Sequence, residues 1–218
     1  MAKQQHGIND GCLGSVGTVV GYKWRGKWCL RARPVHVANP RTSRQVAARS
    51  LFAECVRLSG CMKQALRWGL RERSLREGMT ECNLFYRINR DCFAQGDSGL
   101  EVRWAALCVA DGPVAPVASV ETTVDAGGVA TARFVDDVHH LGGSADDEVR
   151  LYAYCPAMRA GVMAAPTVRA VRAVQLALPV LWAGCEVHFY LWAADYRGRA
   201  SSSCFAGTVA FRDATAAG

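Results

Sequence analysis

The spacing of hydrophobic residues changes part-way along the chain, from a helical period to a strand-like one. Between residues 42 and 92, apolar residues recur every three or four positions, as on the buried face of an amphipathic helix. After residue 99 they form about seven short runs separated by turn residues, with no helical pattern between them. This order of elements predicts an α+β fold, in which helices come first and antiparallel strands follow.

The helical region begins at an N-terminal capping signal. Thr42 and Gln45 have the spacing of a capping box, in which each side chain satisfies a free backbone amide of the other residue. A first helix is therefore predicted to begin at Thr42, and Gly60 is expected to bend or split it. A second helix is predicted at about residues 79–92, where apolar residues again keep helical spacing.

The cluster QGDSG at residues 95–99 separates the helical region from the strand-like runs. Because such residues mark turns and linkers, they predict a domain boundary. We expect residues 1–95 to form a basic module of one β-hairpin and two helices. Residues 96–218 are expected to form an antiparallel β-sandwich that resembles immunoglobulin and fibronectin type III domains. The predicted strands are residues 102–109, 114–124, 129–135, 149–155, 171–178, 185–193 and 204–211.

The stretch GTVVGYKWRGKWCLRARP, residues 17–34, mixes aromatic rings with cations. A two-residue turn at Arg25-Gly26 would place Trp24 opposite Lys27 and Tyr22 opposite Cys29. Each face of this hairpin would then carry both rings and charges, unlike a strand pair that buries one apolar face. The hairpin is therefore predicted to contact something on both faces.

Charge is distributed unevenly between the two predicted domains. Residues 1–95 contain 17 lysines and arginines against 6 acidic residues, whereas residues 96–218 contain 9 against 13. The net charges are +11 and −4, within a total of +7. Such a basic half is expected to meet a polyanion, or the acidic half of a neighbouring copy.

No pattern in the chain predicts a catalytic centre. The glycines before Tyr22 form neither a G-x-G-x-x-G turn nor a Walker loop. The serines at residues 201–203 lack the surrounding glycines of a nucleophile elbow. His188 lies in an apolar run and is interpreted as a strand residue rather than a base. We expect a protein that is not an enzyme, with no catalytic residue and no cofactor.

Neither the cysteines nor the acidic residues predict a metal site. The ten cysteines contain no C-x-x-C pair and are interpreted as small apolar residues with free thiols. The loop DDVHH at residues 136–140, followed by Asp146, Asp147 and Glu148, is the one cluster of metal-ligand residue types. It lacks the spacing of an EF-hand and is interpreted as a solvated acidic loop.

The N-terminal motifs resemble those of a known group of proteins. Three motifs carry the resemblance: G-S-V-G-T-V-V-G-x-x-W-R-G from Gly14 to Gly26, R-x-R-P from Arg31 to Pro34, and N-P-R-T-x-x-Q from Asn39 to Gln45. Together they resemble the opening of a family of uncharacterised proteins abundant in Bacteroidota, and similar motifs occur in phage and prophage proteins. The resemblance covers about the first 90 residues and implies no activity, so it supplies no catalytic residues.

The hairpin and the arginines that follow it form the candidate contact surface. The leading hypothesis is a structural or interaction protein whose rings and arginines anchor a protein interface, by self-association or in an assembly such as a phage-type particle. The alternative is sequence-tolerant nucleic-acid binding, in which the same cations contact phosphates and the rings stack on bases. A third interpretation places the rings in the core and the arginines on a solvated face. The candidate contact residues are Tyr22, Lys23, Trp24, Arg25, Lys27, Trp28, Arg31, Arg33, Arg41, Arg44 and Arg49.

The sequence also bears on location. The residues after Met1 are polar and do not form a signal peptide. The most apolar stretch, residues 171–183, contains Arg172 and Pro179 and is shorter than the roughly 20 residues that span a bilayer. We therefore expect a cytoplasmic protein with no membrane partner, or one that becomes part of a virion or similar particle.

Overall fold

The structure of the chain is a computed structural model that describes residues 2–4, 12–36, 39–96, 99–135 and 143–211. The chain divides into two compact units, one ending at Val46 and the other beginning at Ala47. No helix in the described ranges combines the length and the apolar character needed to cross a bilayer.

The N-terminal unit is built on a four-stranded antiparallel sheet. Its strands are β1 (Ala2–Gln4), β2 (Gly14–Val16), β3 (Val19–Trp24) and β4 (Lys27–Ala32), in the order β1-β4-β3-β2. Strands β3 and β4 pair across Arg25 and Gly26, which have φ angles of 50° and 79°. Two positive φ values are the mark of a type I′ turn, whose twist matches that of the flanking strands.

Four helices open the second part of the chain. They are α1 (Ser43–Cys61), α2 (Lys63–Gly69), α3 (Arg71–Arg76) and α4 (Glu81–Asn89). The Thr42 hydroxyl accepts a hydrogen bond from the Gln45 amide at 3.4 Å, so α1 begins where the capping signal predicts. The helix continues through Gly60 and ends one residue later. Two short helices that the spacing did not predict, α2 and α3, follow it.

The strands of the second unit form antiparallel sheets. The bounds are β5 (Phe93–Gly96), β6 (Gly99–Val102), β7 (Ala118–Val124), β8 (Val129–Val135), β9 (Glu148–Cys155), β10 (Ala160–Met163), β11 (Thr167–Val168), β12 (Ala173–Ala177), β13 (Glu186–Ala194) and β14 (Cys204–Ala210). One sheet has the order β10-β9-β13-β14, with β11 also paired to β9, and another has the order β12-β8-β7. The prediction of helices followed by antiparallel sheets is therefore confirmed.

One predicted strand is wrong. Residues 102–109 contain only the last residue of β6, followed by a 3-10 turn at Trp104–Ala106. Leu107 and Val109 are buried although they lie outside any strand, so their apolar character reflects packing and not strand structure. The other six predicted runs each contain a strand.

Strands β9 and β13 are buried on both faces. Leu151 and Phe189 belong to a core that these strands share with β8 and β12. Tyr152 and Trp192 belong to a second core, which is completed by Leu66 and other residues of the helices. The helices therefore cover the opposite face of the β9–β13 sheet from the one that meets β8.

This packing places the helices and the sheets in one compact unit. The predicted boundary between residues 95 and 96 lies inside that unit, within β5. Gly96 and Gly99, two of the residues that suggested a linker, lie opposite each other in the antiparallel pair of β5 and β6.

Candidate interaction surface

The N-terminal sheet buries almost none of its own side chains. Among residues 12–36, only Gly21 and Cys29 are buried. Trp24 is 50% exposed and Val16 is 65% exposed. Because a sheet normally needs a covered apolar face to be stable, this exposed sheet is the candidate contact surface of the chain.

Rings and cations lie on both faces of this sheet. Tyr22 lies opposite Cys29 and Trp24 opposite Lys27, whereas Lys23 lies opposite Trp28. Because opposed residues share a face and successive residues alternate, Trp24 and Trp28 point to opposite faces. Neither face is purely apolar, so neither has the composition of an ordinary core.

Two cations lie over the tryptophan rings. The Lys23 ammonium is 5.3 Å from the centre of the Trp28 ring, and the Arg25 guanidinium is 5.2 Å from that of Trp24. Exposed pairs of this kind contribute about 0.5–1 kcal/mol. They hold charge and aromatic surface together while leaving much of Trp24 exposed.

The remaining candidate residues are exposed and basic. Arg31 lies on β4, and Arg33 follows it with its backbone amide bonded to the Thr18 carbonyl at 2.7 Å. Arg41 and Arg44 lie at the start of α1, whose first turn contains no acidic residue. The positive end of the helix dipole adds to these charges, which favours an anion there. Arg49 belongs to the second unit, so the structure does not group it with the sheet.

The division into units changes the charge distribution. Residues 1–46 contain eight lysines and arginines against one aspartate, whereas residues 47–218 contain 18 of each charge type. The whole net charge of +7 thus belongs to the N-terminal unit. The predicted −4 half was a consequence of placing the boundary at residue 95, and the second compact unit has no net charge.

The cysteines are free thiols, as expected. Burial raises the pKa of Cys55 to about 12, and the pKa values of Cys92 and Cys155 are also raised chiefly by burial. A raised pKa lowers the thiolate fraction, so these thiols are poor nucleophiles and poor metal ligands.

The acidic cluster lies partly outside the described residues, since residues 136–140 are among those not described. Asp147 pairs with Arg169, and Glu148 pairs with Arg150. Within the described ranges, no three His, Cys, Asp or Glu side chains are grouped as metal ligands. Asp147 and Glu148 therefore act as ion-pair partners of arginines in the described part of the cluster.

His188 lies within β13 and faces the helical side of the sheet. Its ring stacks on Trp104, with centres 4.6 Å apart, and its Nδ1 forms a 2.8 Å hydrogen bond with the Thr208 hydroxyl. Burial lowers the pKa of His188. The residue is thus a neutral strand residue, as the sequence predicts.

A cleft of about 520 Å³ lies between the end of α1 and the strands. Its lining includes Cys61, Trp104, Tyr154 and Arg159. Burial is the main cause that raises the pKa of Tyr154, to about 12. This shift makes Tyr154 a weaker acid than an ordinary tyrosine. The described residues that line the cleft include no histidine that could act with Cys61.

The sequence belongs to a protein family. A family of unknown function, DUF6266, matches residues 11–207, which is most of the chain, and the protein is a member of it. This confirms the resemblance to an uncharacterised family. Comparison with curated proteins gives no match.

One solved structure with similarity is the fn3 domain of the human collagen alpha-1(XX) chain. The two are 15% identical, with a TM-score of 0.34 over 46% of this chain and 87% of that domain. A similarity this distant supports no statement about function.

Proposed function

We propose that the protein is a non-enzymatic interaction protein that binds a partner through both faces of its N-terminal sheet. The observation that carries the proposal is the exposure of that sheet, in which only Gly21 and Cys29 are buried among residues 12–36. Tryptophan, tyrosine and arginine are the residues most often found as interface anchors. A partner that covers them would supply the missing core.

The charge of the unit restricts how copies of the chain could associate. Two N-terminal units that face each other would bring together two groups of net charge +7, and they would repel at low salt. Self-association would therefore place the sheet of one copy against a different surface of the next copy. Such heterologous contacts form rings or extended assemblies, which suits a particle component.

The wider setting follows from the motifs and the sheets. The motif resemblance favours a component of a phage-type particle, in a member of the Bacteroidota. The two sheets around the Leu151 core suit an immunoglobulin-like sandwich, which is a common architecture of interaction domains.

The second candidate function is sequence-tolerant nucleic-acid binding by the N-terminal unit. The observation that favours it is the charge of this unit, which has eight cations and one acidic residue. Lysines and arginines displace counterions from phosphates, and exposed rings such as Trp24 can stack on bases.

The test is the mass of the purified, nuclease-treated protein by light scattering, with the 260/280 nm absorbance ratio recorded before and after treatment. A large assembly free of nucleic acid supports the interaction protein. A monomer that arrives with nucleic acid supports the second candidate. A monomer at high concentration and low salt, with neither nucleic acid nor a co-purifying protein, argues against both.

A further inference from the structure

Three cations form a row along α2 and the start of α3. Lys63, Arg67 and Arg71 are four residues apart and exposed. Within the described ranges, their side chains have no hydrogen bond and no ion pair. Neighbouring arginines differ: Arg57 pairs with Glu54, Arg73 with Glu77 and Asp111, Arg76 with Glu72, and Arg87 with Glu77.

Charge repulsion along the row opposes the helices that carry it, although the dipole of α2 favours Arg67, which lies in its last turn. Like charges four residues apart on a helix repel each other. Lys63 also lies in the first turn of α2, where the helix dipole disfavours a cation. The cost of keeping these three charges together is offset if an anionic partner binds them.

An apolar groove lies beside the row. It has a volume of about 450 Å³ and is formed by the end of α1, by α2 and by the start of α4. Val56 is 39% exposed and supplies apolar surface, Leu66 lies buried beneath the groove, and the space above Gly60 is open. Among the described residues that line the groove, Glu81 is the one carboxylate against the three cations.

We propose that this helical groove binds an acidic amphipathic segment of a partner protein. The apolar side chains of that segment would lie on Val56 and over Gly60, and its carboxylates would meet Lys63, Arg67 and Arg71. Helix-in-groove recognition has this combination of an apolar channel and matched charges. One carboxylate per helical turn, about 6 Å apart, fits the spacing of the three cations.

The apolar lining favours this occupant over a nucleic acid. A phosphate backbone would use the cations but would leave Val56 and the space over Gly60 exposed. The proposal goes beyond the proposed function, because the groove lies in the second unit and uses none of the candidate residues of the N-terminal sheet.

The probe is a fluorescent helical peptide with leucines on one face and glutamates once per turn beside them, measured by anisotropy with the full chain. Replacing Lys63, Arg67 and Arg71 by Gln is expected to weaken binding about tenfold or more. Replacing Arg90, Arg133 and Arg172 by Gln removes the same charge from other exposed positions, and this matched control should bind as the wild type does.

Gly60→Leu tests the shape of the groove without changing charge. A Cβ at this position meets no atom within 4 Å beyond its chain neighbours and the backbone of its own helix, and leucine favours a helix more than glycine does. The variant should fold and bind the peptide about tenfold more weakly. Glu81→Gln removes the opposing charge of the lining and should tighten binding.

Three results would overturn the proposal. In the first, the peptide does not bind the wild type, or it binds the triple-Gln and Gly60→Leu variants as tightly as it binds the wild type. In the second, an oligothymidine binds in place of the peptide, and its affinity falls in the triple-Gln variant but not in Gly60→Leu. Lastly, all peptide binding is lost when Lys23, Lys27 and Arg31 become Gln, which would assign the peptide to the N-terminal sheet and leave the proposed function intact.

Discussion

The ammonium group of Lys23 lies over the ring of Trp28, its direct opposite on the adjacent strand, at 5.3 Å from the ring centre. This pairing places charge and aromatic surface side by side on one face of the sheet. Trp24 and Arg25 make a similar pair next to the turn. A partner with anionic groups and stacking or apolar surface could use both elements of each pair.

We expect Trp24→Ala and Trp28→Ala to weaken the association of the protein by about 2 kcal/mol each, or roughly thirtyfold. Tyr196 provides a matched control, since it is an exposed ring with an arginine, Arg197, over it in the second unit. Tyr196→Ala should leave association unchanged. The measurement is light scattering over a concentration series, and a double tryptophan variant that assembles fully would refute the anchor role.

If the N-terminal unit binds nucleic acid, replacing its exposed residues Arg33, Arg41 and Arg44 by Gln should reduce the salt dependence of binding. Each phosphate contact to a single strand contributes about 0.7 to the slope of log K against log salt, so losing three contacts lowers the slope by about 2. Arg90, Arg133 and Arg172 again supply a matched control. An unchanged slope in the test variant would show that these arginines do not contact the phosphates.

The strand positions of the second unit were accessible from the sequence, whereas the packing of the helices against one face of the sheet was not. Strand β8 buries alternate residues, and it matches the predicted run of residues 129–135. Strands β9 and β13 are buried on both faces, so polar alternation is absent and the sequence cannot indicate what covers the second face. The packing of Tyr152 and Trp192 against helices is a long-range property of the fold.

The candidate surfaces show the same division. Local turn chemistry at Arg25-Gly26 indicates which residues can share a face, so the mixture of rings and cations follows from the sequence alone. That Lys63, Arg67 and Arg71 have no acidic partner among the described residues does not follow from the sequence alone. It depends on which arginines find acidic partners, and contacts such as Arg73 with Asp111 join residues distant in the chain.

Gly21→Ala should disrupt the N-terminal sheet. A Cβ at this position would overlap the backbone carbonyl oxygen of Cys12, which cannot move aside easily. We expect a loss of about 1–3 kcal/mol in the stability of this sheet. Faster hydrogen exchange in residues 12–36, with little change in the second unit, would show this loss of stability.

Gly60→Ala is the control for that substitution, because it lies in a helix and meets open space. It should stabilise α1 by about 0.5–1 kcal/mol. If residues 12–36 are equally protected from hydrogen exchange in both alanine variants, the close approach of Gly21 to Cys12 does not determine the stability of the sheet.

The stability of the second unit should fall in mild acid partly because of His188. Burial lowers the pKa of this residue below its ordinary value of about 6.5 and outweighs the opposing effect of Glu186. The unfolded chain therefore takes up a proton at a pH at which the folded chain does not, so acid favours unfolding. The contribution is fully present above about pH 6.5 and is lost as the pH falls toward the folded pKa.

In His188→Gln, the decrease in unfolding free energy between pH 7 and pH 5 should be smaller than in the wild type. His36 lies in the N-terminal unit, so His36→Gln is a control that should leave the decrease for the second unit unchanged. The measurement is urea unfolding at both pH values. Equal decreases in the His188 variant and the wild type would show that this ring does not titrate as proposed.

Arg169 is 1% exposed, so its charge depends on buried partners. One guanidinium nitrogen donates to the Ala115 carbonyl at 2.5 Å and lies 3.5 Å from a carboxylate oxygen of Asp147. Asp147→Asn keeps the size of the side chain but removes its charge, and with it the attraction between the two buried charges. We expect a loss of about 3 kcal/mol in the free energy of unfolding.

Glu54→Gln breaks the more exposed pair with Arg57 and should cost less than about 1 kcal/mol. Replacing Asp147 and Arg169 together by Leu and Met should cost less than Asp147→Asn alone, because both charges of the pair are then removed from the interior. Urea unfolding measures all three variants. A double variant less stable than the single one would mean that Arg169 stabilises the fold mainly through the carbonyls it bonds, and not through its ion pair.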